Sequence, residues 1–248
     1  MFSISRALPI AADAVSYLVM AVMLTTIRHR LPAAAPEGGT HEPILKAIRS
    51  GLSWLLRQRD LRTIAVTATL LNFAANGTIL VLILSMQQRG VRPSVIGLLE
   101  TAMGVGGLAG AFAAPRLLAR YSAGKITILG AWIVAVTFAA TALSTLPAVL
   151  IALPAAAVFL LPALNSGLFG YQMLITPDQL QGRAQSAFMF MSNTAGPLAP
   201  FLGGVFLAAL GARTALLVFG ALLGVGAVLL TASKPIRTIP LLSEVEAA

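Results

Sequence analysis

Residues 63–86 read TIAVTATLLNFAANGTILVLILSM, 24 residues without one Asp, Glu, Lys, Arg, His or Pro. At about 1.5 Å of rise per residue such a helix is ~36 Å long. The hydrocarbon core of a bilayer is ~30 Å thick. Six more apolar stretches follow the same rule, at 8–27, 94–115, 126–146, 148–174, 185–210 and 213–232. No water-soluble core hides so much hydrocarbon. Backbone amides in lipid must bond within their own segment, so spans of this kind are helices. The expected fold is an all-α polytopic membrane protein with seven transmembrane helices.

Composition agrees. Hydrophobic residues make up 58% and charged residues 10% of the 248, far below the roughly 25% charged that is typical of soluble domains. The 22 glycines suit helices that pack closely through small side chains. A net charge of +9 raises nucleic acid as a partner. The cations, however, sit at the ends of the apolar spans, where basic residues set orientation, so no nucleic-acid binding is expected. Cysteine is absent, which excludes disulfides and thiolate metal sites. The first span carries Asp13 in its apolar run and ends at Ile27-Arg28-His29-Arg30 without a small-residue cleavage pattern, unlike a signal peptide.

Placing the loop 28–62 in the cytoplasm collects Arg28, Arg30, Lys46, Arg49, Arg57, Arg59, Arg62, Arg116, Arg120, Lys125, Arg183, Lys234 and Arg237 there. Arg6, Arg89, Arg92 and Arg213 remain outside. Thirteen of the 17 Lys and Arg on one side is a strong positive-inside bias. The N-terminus is then outside and the C-terminal tail, 233–248, in the cytoplasm of a cell-membrane protein. Within the linker, Pro32 to Pro43 reads as irregular. Ile44, Ile48, Leu52 and Leu55 recur at helical spacing beside Lys46, Arg49, Arg57 and Arg59. That predicts an amphipathic helix over 44–60 lying on the cytoplasmic leaflet, with Trp54 as its interface anchor; a single bent helix over 44–86 is the alternative. Residues 63–232 read as one six-helix transmembrane bundle, with the span 8–27 set apart by the linker.

Four motifs carry a family resemblance. Leu8-Pro9-Ile10-Ala11-Ala12-Asp13-Ala14-Val15-Ser16-Tyr17-Leu18, Gly51-Leu52-Ser53-Trp54-Leu55-Leu56-Arg57, Thr176-Pro177-Asp178-Gln179-Leu180-Gln181-Gly182-Arg183 and Gly196-Pro197-Leu198-Ala199-Pro200-Phe201-Leu202-Gly203-Gly204 occur in that order. They resemble the sixth helix, central-loop helix, tenth-to-eleventh turn and eleventh helix of major facilitator superfamily transporters of the drug, macrolide and siderophore exporter branch. The resemblance implies that 63–232 is one half bundle of such a transporter, preceded by the last helix of the other half. It implies proton-coupled efflux of small amphipathic molecules by an antiporter. Alternating access rocks one half against the other, so the resemblance also implies a partner for this half: a preceding segment, a second copy or another chain. Without one, the chain reads as a non-transporting membrane module.

Several polar residues fall inside spans. Glu100 lies six positions into 94–115. An intramembrane acid is costly unless protonated, paired or facing water, which makes Glu100 the candidate for proton coupling, with pairing to Arg89 or Arg92 as the alternative. Asp13 is the second acid at similar depth and recurs in the resembled motif; a cap or hydrogen bond to a neighbouring helix is its alternative role. Asn72 and Asn76 lie four apart, Asn165 and Gln172 seven apart, and Asn193 sits in the sixth span. Side chains that share a helix face are placed to line a substrate cavity, or else to bond between helices at about 0.6 kcal/mol each. Phe73, Met103, Phe159, Phe169, Tyr171, Phe188, Met189, Phe190 and Met191 offer an adaptable apolar lining. Gly104 to Gly110 reads as a packing ridge. Arg116, Arg120 and Arg183 are candidates for a cytoplasmic gate. His29 and His41 both lie in the linker, no acid–histidine constellation occurs at one depth, and no enzyme activity, cofactor or metal is expected.

Overall fold

In a computed structural model the described residues are 8–26 and 44–239. His29, His41 and the irregular stretch Pro32 to Pro43 lie outside them. The chain divides into two units, Met1–Glu42 and Pro43–Ala248. In the first, the described residues form α1 (Leu8–Thr26), 19 residues long. Val15, Leu18, Val22 and Leu24 are all exposed on it.

The second unit contains α2 (Ile44–Arg57), α3 (Arg59–Gln88), α4 (Pro93–Arg120), α5 (Ala123–Thr141), α6 (Pro147–Phe159), α7 (Leu161–Ile175), α8 (Gln181–Asn193), α9 (Leu198–Ala232) and α10 (Lys234–Arg237). No strand occurs among the described residues. Local chemistry sets many of the ends. Pro93 and Pro147 open α4 and α6 at positions where no amide donor is needed. The Ser122 side chain accepts from the Lys125 amide at the start of α5. Gly90, at φ 72°, turns the chain between α3 and α4.

The linker helix and the first bundle helix are separate, parted at Gln58 in an extended conformation (φ −77°, ψ 106°). The bundle also covers part of α2: Leu55 is fully buried and Trp54 packs on the core, while Ile48 stays exposed.

Two spans are broken by proline. Between α6 and α7, Leu160 interrupts the helix where Pro162 has no amide to donate to Val158. Between α8 and α9, Pro197 and Pro200 force the chain into short-range bonds, such as Gly196 to Asn193 and Ala199 to Gly196.

Although α9 is 35 residues long, it does not run straight. Phe206 and Phe219 would stand ~20 Å apart along a straight helix, yet their ring centroids are 5.8 Å apart. Gly211, at φ 78° and ψ 164°, reverses the chain. Residues 198–210 and 212–232 are thus two antiparallel limbs, each packed on α3. Phe219 meets Phe73 at 5.8 Å and lies where any side chain at Gly77 would stand.

Two large core clusters result, beside a small third one of Ala114, Ile126 and Ala163. One holds Leu82, Met86, Leu99, Phe138, Leu150 and Phe219. The other holds Leu55, Leu61, Ile64, Phe188, Leu230 and Ile236, at the end of the unit that carries Arg57, Arg62, Lys125, Arg183 and Arg237. Helix α4 lies against α6 through Gly106 and Gly110, whose missing side chains leave room for the backbones of Ala155 and Phe159. Of the small-residue ridge expected at 104–110, Gly106 and Gly110 make this contact and Gly104 does not.

Candidate functional site

Between the two clusters lies a cavity of about 440 Å³. Its walls come from both: Phe138 and Val134 from one, Ile64, Phe188 and Leu230 from the other. The lining is mostly aliphatic and aromatic, with Asn72, Thr127, Asn165, Ser192 and Asn193 as its polar members. Among the described residues no charged side chain lines it.

The polar members converge from four helices, α3, α5, α7 and α8. Asn72 of α3 donates its amide to the Ser192 carbonyl at 3.0 Å. One turn earlier, Thr69 donates to the Met191 carbonyl at 2.8 Å. These two bonds tie α3 to the last turn of α8. Asn193 spends its amide on the Met189 carbonyl at 2.9 Å. Asn165, in the second turn of α7, opens on the cavity with no hydrogen-bond partner among the described residues. Both breaks, at Leu160 and at 194–197, lie beside this polar group. Discontinuous helices at a substrate site expose backbone and polar side chains only where they line a cavity.

Of the residues singled out from sequence, the cavity thus gathers Asn72, Asn165 and Asn193 but neither Asn76 nor Gln172. Four residues along a helix is 400°, so Asn76 is turned ~40° from Asn72; it is exposed and donates to the Asn72 carbonyl at 2.7 Å. Ala75 and Ile79 take the cavity side instead. Gln172 is buried, 3% exposed, one turn past Leu168 and Phe169, where the lining from α7 ends. Met103, Phe169, Phe188 and Met189 do line the cavity. Phe73 packs on Phe219, Phe190 points away at 68% exposure, and Phe159 borders a separate shallow groove with Gly106. Tyr171 faces Asp60 at the start of α3, and Met191 packs on the second cluster.

Glu100 is exposed on α4, outside the cavity lining to which Met103 belongs. Among the described residues it forms no ion pair with Arg89 or Arg92. Asp13 is exposed on α1, and its carbonyl accepts from the Ser16 hydroxyl at 2.7 Å. Arg116 and Arg120 are exposed in the last turns of α4. Arg183 reaches from α8 to the Ser50 hydroxyl of α2 at 3.4 Å, where Gly51 lets α2 lie on the Arg183 backbone. Ser192 and Thr127 were not legible as cavity residues. A lone Ser or Thr in a span ordinarily bonds its own helix, and only tertiary packing shows which one faces a void.

The sequence model of the Major Facilitator Superfamily matches residues 63–246. The chain belongs to the Major Facilitator Superfamily. It is therefore an integral, multi-pass membrane protein of a transporter family, and the cavity lies wholly within the matched region. No curated protein and no solved structure matches the chain significantly.

Proposed function

We propose that this chain is one half bundle of a proton-coupled exporter of small amphipathic molecules, working against a second half. The observation that carries this reading is the cavity itself, apolar-walled with a convergent polar group and flanked by two broken spans. Pockets that orient small molecules have this make-up. Outward direction, the drug, macrolide or siderophore substrate class and the partner half rest on the motif resemblance. The second half is a segment of the same polypeptide, another copy or another chain. Glu100 and Asp13 are the proton-coupling acids in this reading, and Arg116, Arg120 and Arg183 line a cytoplasmic gate. The distribution of basic residues over the loops supports a cytoplasmic-membrane location with the N-terminus outside.

The test is accumulation of radiolabelled amphipathic drugs and macrolides in everted vesicles from cells that make the native protein. The expected result is uptake driven by an imposed pH gradient, abolished by a protonophore and reduced at least about tenfold by Glu100→Gln. Gradient-driven uptake that survives Glu100→Gln removes Glu100 from the coupling role. Uptake no greater than in vesicles lacking the protein overturns the exporter reading.

A further inference from the structure

Buried hydroxyls in this bundle are almost all used up by their own helices. Thr78, Ser85, Thr127, Thr141 and Thr176 are buried, and each donates to a carbonyl three or four residues earlier. Ser192 departs from that habit. It is 5% exposed, its hydroxyl oxygen has no partner, and it lines the cavity. Among the described residues two other buried polar atoms lack partners, Gln172 Oε1 and Ser233 Oγ, and neither residue lines the cavity. A buried polar group left without a partner is costly and calls for one.

Two more capacities stand beside it. The Asn165 amide is unpaired, and the side-chain oxygen of Asn72 accepts nothing, its amide nitrogen being held by the Ser192 carbonyl. Against them the cavity presents apolar walls and, among the described residues, no charge of either sign. An ion brought here loses its hydration and gains no counter-charge from these walls. An uncharged molecule with one hydroxyl or amide group loses little and regains its hydrogen bond.

We infer that this cavity is a subsite for uncharged ligands, an apolar body carrying one hydrogen-bonding group that docks on Ser192 and Asn165. The inference rests on the reading of the cavity as a ligand site and selects within it against cationic and anionic substrates.

Three naphthalene probes of one size separate the possibilities: 2-(2-naphthyl)ethanol, 2-(2-naphthyl)ethylammonium and 2-ethylnaphthalene. Their equilibrium binding is measured on the purified full chain in lipid nanodiscs, with empty nanodiscs as the blank. The alcohol binds at least about tenfold more tightly than the ammonium. Ser192→Ala and Asn165→Leu each lower the preference for alcohol over hydrocarbon by about fivefold, and Ser192→Thr retains it. Circular dichroism confirms that each variant is folded. Ammonium binding as tight as the alcohol, or an alcohol preference unchanged in both variants, overturns the inference and leaves the transporter reading standing. Binding of none of the three above the blank overturns both.

Discussion

At the scale of single residues, glycines decide where helices touch. Gly110 has the Phe159 carbonyl where its side chain would be, and Gly106 stands in the same relation to Ala155. Both are turns of one ridge on α4, spaced to meet α6. Gly104, on another face of the same helix, has nothing within 4 Å. Forcing side chains into a filled interface costs about 1–3 kcal/mol. Gly110→Val therefore lowers the melting temperature in detergent, and Gly104→Ala leaves it unchanged, as followed by thermal unfolding. Equal loss in both variants contradicts the α4–α6 contact. The ridge was legible because small residues recur in one span. Which of its glycines carry the contact was not, because Gly104 and Gly106 look alike until α6 is in place.

At the scale of elements, the breaks and the docked linker helix are what position the cavity. Pro197 and Pro200 interrupt the sixth span, and Leu160, ahead of Pro162, interrupts the fifth. Ser192 and Asn193 lie next to one break and Leu161 next to the other, all on the cavity. Prolines are plain in the sequence, but a break and a smooth bend read alike there. Linker helix α2 adds a brace at the basic end, with Gly51 on the Arg183 backbone and Arg183 on Ser50. The amphipathic pattern was expected to run over 44–60, whereas the helix ends at Arg57 ahead of the extended Gln58, and the pattern alone does not say whether lipid or protein covers its apolar side. Because the chain has no cysteine, a Ser50→Cys, Arg183→Cys pair is a clean reporter. A flexible bifunctional thiol reagent that spans the reach of an arginine side chain joins the two sites, since the 3.4 Å contact is made by the guanidinium end of Arg183. The joined protein resists cleavage into two fragments when a protease site is placed between them. Two fragments after cross-linking contradict the brace.

At the scale of the whole molecule, hydropathy made the membrane class readable, and the reversal at Gly211 falls between the two stretches expected at 185–210 and 213–232. The side chains that share one cavity were only partly readable. Asn72, Asn165 and Asn193 are 93 and 28 residues apart along the chain and meet only because α3, α7 and α8 surround one void. Helical periodicity groups residues within a span, and it erred by ~40° for Asn76. The central claim is that this void is a ligand path reached from water and not a packing defect sealed in lipid. The most direct measurement is the rate at which a charged, water-soluble methanethiosulfonate modifies Asn165→Cys, compared with Val136→Cys on the exposed apolar side of α5. A wetted path predicts that Asn165→Cys reacts at least about tenfold faster, since thiolate formation needs water. Equal, slow reaction at both positions contradicts the account.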